Sequence, residues 1–562
     1  MRDSLDIQAG LFPGRYAIST LVIPTLCINI LSLALPFLTL QVYDRILPNP
    51  DGGTLPVLIA GILVAIMLET VLRMGRAYVM GWSSASFEHR TSVAAIRQMM
   101  NAELAAVNQM GTGEALNRLS AVGKIKDFQN GSILVTFIDA LFIPVYLAAI
   151  VYIAGGLVLI PITILTLFIV SSIFHGVRLK TALHDREEDD DARYNFLIET
   201  LQGIHTLKSF ALEKVFQRRY EKIQYNTTLA NYAVTEETAK SFNSANVFAS
   251  LIVAAVIAGG AWMVVTGRMS SGGMIAAILL SGRLMLPAQK VLSLWIRYQD
   301  FQVARDKINT LLHMPQVARD QDAETPMSLG IVELRSVGFR YTDASPWLFR
   351  DVDLALHPGQ AIRISGAHGA GKTALLKLIV GLYRPQEGEV LVDGIHPSVF
   401  PDGHLLSHIG YIPTKGTLFR GRIRDNLTRF GMVPESDVRA VTAMLGIDRD
   451  VAGLPKGFDT WVEGTENDVL PPGLRQRIAI ARALAGHPKV ILFDDADRNL
   501  DRDGYRAVHA MLGRLKHKAA IIVVSDDRNM TSLCDRHYRL DVNGLIPQMD
   551  EHTSLYDLEL RA

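Results

Sequence analysis

The chain has 562 residues with Lys+Arg and Asp+Glu at 56 each, so its formal charge is zero and its pI about 7.3. That balance excludes a globally basic nucleic-acid binder, so no nucleic-acid partner is expected. Charged residues make up only 20% against 49% hydrophobic, with mean hydropathy +0.21, which is too apolar for an ordinary soluble enzyme and points to a lipid bilayer. The two cysteines, Cys27 and Cys534, lie in opposite halves of the chain and exclude a disulfide framework.

In chain order, six apolar runs come first: Ala17–Val42, Leu55–Leu72, Ile133–Ile153, Leu157–Phe174, Val247–Val265 and Met274–Leu294. Each is long enough to cross a hydrocarbon core as a helix, whereas buried helices of soluble proteins usually stop sooner. Six spans are therefore expected. The first run is too long for a secretory signal peptide and lacks a small-residue cleavage site after it. The long loops Arg73–Gly131 and Gly176–Ala245 hold 17 Lys/Arg, while the short loops Tyr43–Thr54, Ala154–Gly156 and Gly267–Gly273 hold only Arg45 and Arg268. Positive-inside bias places the long loops and both termini in the cytoplasm.

These long loops carry few Gly or Pro and read as helix. Phe196, Ile198, Leu201, Ile204, Leu207 and Phe210 supply apolar positions, so the membrane helices are expected to run on far into the cytoplasm. The acidic stretch Asp185–Asp191 reads as a solvated helix face rather than a metal site. Three charges in or near the spans stand out. Glu69 is close enough to a cytoplasmic end to reach water. Asp139 and Arg283 are deeper and are expected to line the interior, with a mutual ion pair as the minor alternative.

The texture changes near Met314. Residues Pro315–Ser328 are polar, contain Pro326 and read as a linker, and from Ile331 onward strands alternate with helices. Ala361–Ser365 reads as a strand, Gly366-Ala367-His368-Gly369-Ala370-Gly371-Lys372-Thr373 as a phosphate-binding loop, and Ala374–Val380 as its helix. Glycines let backbone N–H groups close around phosphate oxygens at a helix N-terminus. Lys372 supplies a point charge for the β- and γ-phosphates and Thr373 a hydroxyl for Mg²⁺. Val490-Ile491-Leu492-Phe493-Asp494-Asp495 reads as a buried strand that delivers a carboxylate to the same ion.

Six spans followed by this domain resemble a half-transporter of the ATP-binding-cassette exporter type, over essentially the whole chain. The resemblance implies a six-helix transmembrane domain over 1–312 with long cytoplasmic helical extensions, a linker over 313–329 and an α/β nucleotide-binding domain over 330–562. It implies ATP and Mg²⁺ as cofactors. Tyr341, in Phe339-Arg340-Tyr341, matches the aromatic that stacks on adenine. Gly366, His368, Gly369, Ala370, Gly371, Lys372, Thr373 and Ala374 form the phosphate site, with Thr373 and Asp494 on the metal. The signature segment, which reaches the opposite site in a dimer, falls at Leu470-Pro471-Pro472-Gly473-Leu474, and Leu500-Asp501 matches the loop after the metal-side acid.

Val42-Tyr43-Asp44-Arg45-Ile46-Leu47-Pro48-Asn49 and Leu280-Ser281-Gly282-Arg283, with Pro287 and Gln289, resemble the bacterial type I secretion branch. That implies an inner-membrane location and polypeptide export through a periplasmic adaptor and an outer-membrane channel. No residue in the spans names the cargo.

Four positions depart from the family pattern. The general-base glutamate is Asp495, one methylene shorter. The switch histidine is Asp526, an anion facing phosphate. The coupling glutamine is Thr414, and two prolines, Pro471 and Pro472, stand before Gly473 where the pattern has Ser and Gly, removing a hydroxyl and two N–H donors. These changes imply retained nucleotide binding with weakened hydrolysis by this chain alone, and a second half-transporter carrying intact residues, a heterodimer rather than a homodimer. The competing readings are a non-hydrolysing, nucleotide-sensing scaffold of a secretion assembly, and a homodimeric exporter of lipids or small molecules.

Overall fold

The computed structural model describes residues 15–48, 54–129, 132–317, 329–400, 408–464 and 470–548. Most of the expected linker, with Pro326, lies outside them, as does Asn49. The chain divides into two compact units. The first comprises Met1–Asn101 and Val107–Met314, and the second comprises Ala102–Ala106 and Pro315–Ala562.

The first unit is helical: Arg15–Leu31, Ala34–Gln41, Thr54–Met100, Ser132–Leu141, Ile143–Ala154, Leu159–Gln202, Ile204–Ser209, Glu213–Val265 and Ser271–Leu312, with most of Leu104–Gln129 also in it. Five continuous helical stretches among the described residues are long and apolar enough to cross a membrane, and one of them, of 71 residues, holds two of the six apolar runs. The joining has a local cause. The third and fourth apolar runs lie in one stretch, Ser132–Gln202, which breaks briefly at Phe142 and joins the two runs through a 3₁₀ turn over Gly155–Val158, where Gly155 takes a positive φ of 53°. Thr54–Met100 has 47 residues and Glu213–Val265 has 53, lengths of roughly 70–80 Å. That is more than twice a hydrocarbon core of about 30 Å, so the helices do extend well past their apolar runs.

Asp139 is buried, in keeping with an interior-lining charge, and its carboxylate accepts from Lys290 (Nζ···Oδ2 2.6 Å) and Asn29 (Nδ2···Oδ1 2.8 Å), so the alternative pair with Arg283 does not form. Position 290 lies two turns beyond 283 on the same helix. The acidic stretch is not simply a solvated face. Glu187 pairs with Lys307 at 2.5 Å and Lys124 at 3.0 Å, and Asp191 pairs with Lys307 at 3.1 Å. The apolar stripe also splits: Phe196 and Leu207 are buried, whereas Leu201 and Phe210 are exposed.

Asp44 explains part of the motif after the first apolar run. Its Oδ2 accepts from the Ser270 hydroxyl at 2.6 Å and its Oδ1 from the Gly272 N–H at 2.9 Å, which caps the Ser271–Leu312 helix. A Cβ at Gly272 would sit 2.5 Å from that carboxylate, so glycine is required there.

Among the described residues, the second unit contains three sheets. The strands are β1 (Val332–Phe339), β2 (Phe349–Leu356), β3 (Ala361–Ser365), β4 (Glu387–Val392), β5 (Ile409–Ile412), β6 (Gly421–Arg422), β7 (Trp461–Val462), β8 (Val490–Asp494), β9 (Ala520–Val524), β10 (Arg536–Asp541) and β11 (Gly544–Gln548). The central sheet has the order β11-β10-β3-β9-β8-β5, parallel except for β11, beside an antiparallel β2-β1-β4 sheet and a β6-β7 pair. Every residue of β8 and β9 is buried, as central parallel strands covered on both faces must be. Parallel alignment brings the C-terminal ends of β3, β8, β9 and β5 to one edge, where ligands of open α/β sheets bind.

Candidate functional site

At that edge β3 runs into the Gly366–Gly371 loop and then into the Lys372–Ile379 helix. Gly371 caps the helix at φ 92°, and a Cβ there would lie 2.9 Å from the Phe349 ring, so only glycine fits. Gly369, at φ 86° on the exposed part of the loop, meets nothing within 4 Å. The Lys372 ammonium donates to the Gly366 carbonyl at 2.7 Å and to that of Ala367 at 3.2 Å. Phosphate oxygens are stronger acceptors for it than these carbonyls. His368 and Gly369 are exposed, Ala370 is half-buried, and Ala374 packs in the core behind the loop.

β8 delivers Asp494 to the same edge. Its Oδ1 accepts from the Thr373 hydroxyl at 3.0 Å, and its Oδ2 accepts from the Tyr411 hydroxyl at 2.9 Å. Burial, then the adjacent carboxylate, pushes the Tyr411 phenol above its ordinary value, so it stays a donor. A hydroxyl and a carboxylate at this separation form a hard-oxygen donor set that fits Mg²⁺. Tyr341 presents a half-exposed ring, edge-on to Phe339 at 5.3 Å and Tyr383 at 5.9 Å, which leaves a ring face for a planar base.

The departing residues have definite places. Thr414 does not face the metal pair; its hydroxyl donates to the Asp494 carbonyl at 2.9 Å. Its own carbonyl accepts from Asn499 at 2.8 Å, while the buried Gln476 grips Gly416 N–H at 2.6 Å and Pro413 O at 3.0 Å. Asp495 sits at φ 48°, a left-handed conformation rare for a residue with a side chain. Burial raises its carboxyl above the usual range; Arg498 opposes this, and Asp526, Asp497 and Asp494 add to it. Asp526 is exposed beside it, on the loop after β9.

Pro471 caps the Pro472–Leu484 helix, with Pro472 in its first turn. A proline is tolerated there because the N–H it lacks has no partner within the helix, so the helix forms normally while its N-terminus presents fewer donors. Gly473 lies against Asp501, where a Cβ would be 3.2 Å from the carboxylate.

Sequence reasoning did not single out Tyr411, Gln476 or Arg498. Tyr411 stands inside the quoted Gly410-Tyr411-Ile412-Pro413 segment, and Arg498 is the one base within Asp494–Asp501, which was the available signal.

Comparison with known proteins agrees with this geometry. The ABC transporter transmembrane region model matches residues 18–287, and the ABC transporter model matches residues 349–498. The cyclolysin secretion/processing ATP-binding protein CyaB of Bordetella pertussis is 27% identical over 549 residues, covering 97% of this chain and 76% of that protein. The leukotoxin export ATP-binding protein LtxB of Aggregatibacter actinomycetemcomitans is 25% identical over 542 residues, covering 96% and 76%. A solved bacterial Atm1-family ABC exporter with ATP bound shares the fold, with a TM-score of 0.84 at 18% identity over 97% of this chain and 96% of that one.

Proposed function

We propose that this chain, a member of the ATP-binding-cassette transporter family and similar throughout to toxin exporters, is a half-transporter that binds ATP firmly, hydrolyses it poorly on its own, and moves a polypeptide across the bacterial inner membrane. The observation that carries the reading is an intact phosphate loop standing beside altered catalytic loops. Lys372 and the loop N–H groups grip the phosphates, and Tyr341 holds the base. Thr373 and Asp494 hold Mg²⁺, which supplies positive charge to the phosphates. Tyr411 orients Asp494 by donating to its second oxygen.

Asp495 occupies the position from which a water would be activated. Its raised pKa favours proton acceptance, but its side chain is one methylene shorter than glutamate. A displacement of about 1 Å can lower turnover on the order of a hundredfold, so geometry outweighs basicity. Asp526 adds an anion, and Thr414 is committed to the Asp494 carbonyl. Pro471, Pro472 and Gly473 weaken what this chain lends to the opposite site. Two copies of this chain would damage each site twice, so pairing with a second half-transporter is favoured over a homodimer. By resemblance, a periplasmic adaptor and an outer-membrane channel complete the path, and both termini are cytoplasmic.

The test is the subunit composition of the exporter purified from its native membrane through a tag on this chain. A second, different half-transporter in equal amount supports the reading. A complex of two identical chains that transports at full rate would overturn it.

A further inference from the structure

The end of β8 and the loops after β8 and β9 concentrate acid: Asp494 closes β8, Asp495 and Asp497 follow it, and Asp526 and Asp527 follow β9. They are tied together by the Ser525 hydroxyl, which donates to Asp497 Oδ2 at 2.6 Å, and by the Asp495 N–H, which donates to the Val524 carbonyl at 2.8 Å. Between the two departing acids stands one cation. Arg498 Nη2 is 3.2 Å from Asp495 Oδ2 and 3.2 Å from Asp526 Oδ2.

The bridge runs from a mostly buried acid, 18% exposed at Asp495, to an exposed one, 69% at Asp526. Ion pairs this open contribute little to folding stability. Their effect lies in the local field. Without a counter-ion, two carboxylates at the end of the phosphate loop would repel the most negative end of a nucleoside triphosphate.

We propose that Arg498 is the counter-ion that lets this acidic site accept a triphosphate, offsetting one of the two negative charges of Asp495 and Asp526 and thereby setting the preference for ATP over ADP. The inference rests on the reading that the Gly366–Thr373 loop holds the nucleotide with its terminal phosphate toward these two acids. Arg498 acts through the carboxylates it pairs with, so the effect is a property of charge rather than of shape. One unit charge acting over ~6 Å at an effective dielectric of roughly 40, between the protein-surface and bulk-water values, corresponds to about a tenfold change in affinity.

The experiment measures Mg²⁺–ATP and Mg²⁺–ADP affinity of the full chain in lipid nanodiscs. Arg498→Ser is expected to weaken ATP binding about tenfold and ADP binding less than about twofold. Arg498→Lys should keep most of the preference, and adding Asp526→Asn to Arg498→Ser should restore ATP binding. Equal losses for both nucleotides, no loss, or no rescue by Asp526→Asn would each overturn the proposal. Lys372→Ala separates the two levels. If it abolishes binding of both nucleotides while Arg498→Ser changes neither, the nucleotide site stands and the Arg498 role falls. If Lys372→Ala leaves binding untouched, the nucleotide reading fails, and this inference fails with it.

Discussion

The two sides of the nucleotide edge make an instructive contrast. On the β3 side, Gly366–Thr373 and Tyr341 keep every feature that grips a nucleotide: positive-φ glycines, a lysine over its own loop, a hydroxyl beside Asp494. On the β8 and β9 side, the positions that would activate water and sense the γ-phosphate carry aspartates joined through Arg498. This second side is nevertheless tied together by hydrogen bonds that Thr414, Gln476 and Asn499 donate to backbone carbonyls and that Ser525 donates to Asp497. An ordered scaffold around departing side chains is what the proposed reading, firm binding with slow turnover, would require.

The largest expected effect comes from breaking the gripping side. Lys372→Ala should lower ATP affinity by about a hundredfold, the scale of two lost charge-assisted hydrogen bonds, as read by equilibrium binding. An affinity within about twofold of the unaltered chain would mean that the loop does not hold phosphate. The opposite manipulation sharpens the contrast. Asp495→Glu with Asp526→His should raise ATP turnover by at least about tenfold, since it restores reach, and by removing an anion beside the phosphates it should tighten ATP binding by up to about tenfold while changing ADP binding little.

A smaller effect probes the retained scaffold. Asp527 accepts from the Asn529 N–H at 2.9 Å, from the Met530 N–H at 3.0 Å and from Tyr505. Asp527→Ala should cost about 1 kcal/mol of stability, the usual loss of an N-cap, visible as a lower melting temperature. The smallest is its pH dependence. The hydrogen bond from Tyr505 leads in holding the Asp527 carboxyl below its usual range, burial opposes it, and the Met530 and Asn529 N–H groups assist. A folded-state pKa below the unfolded one stabilises above the ordinary Asp value of about 3.9 and is lost as pH falls through the folded value. The gap in melting temperature between the unaltered chain and Asp527→Asn should therefore narrow from about pH 5 to about pH 3.

Much of this was legible in the sequence because it depends on local pattern. Long apolar runs, a strand-loop-helix with fixed glycines and a buried strand ending in acids each follow from spacing alone. What escaped depends on three-dimensional neighbours. Asp139 pairs with Lys290 and not Arg283, because positions two turns apart share a helix face and only the depth of the acid along that face decides which one meets it. The six apolar runs fall in five continuous stretches because a four-residue 3₁₀ turn joins two runs without an intervening loop. Arg498 looked like one more polar loop residue, and only the meeting of two loops from non-adjacent sequence reveals its pairing with Asp526.

The most direct test of the central claim is ATP turnover by the purified chain alone in lipid, measured beside Lys372→Ala with nucleotide binding followed in parallel. The account predicts firm ATP binding with turnover no higher than that of Lys372→Ala. Clear Lys372-dependent turnover would contradict it, and would show that Asp495 and the Pro471-Pro472-Gly473 segment suffice for a homodimeric pump.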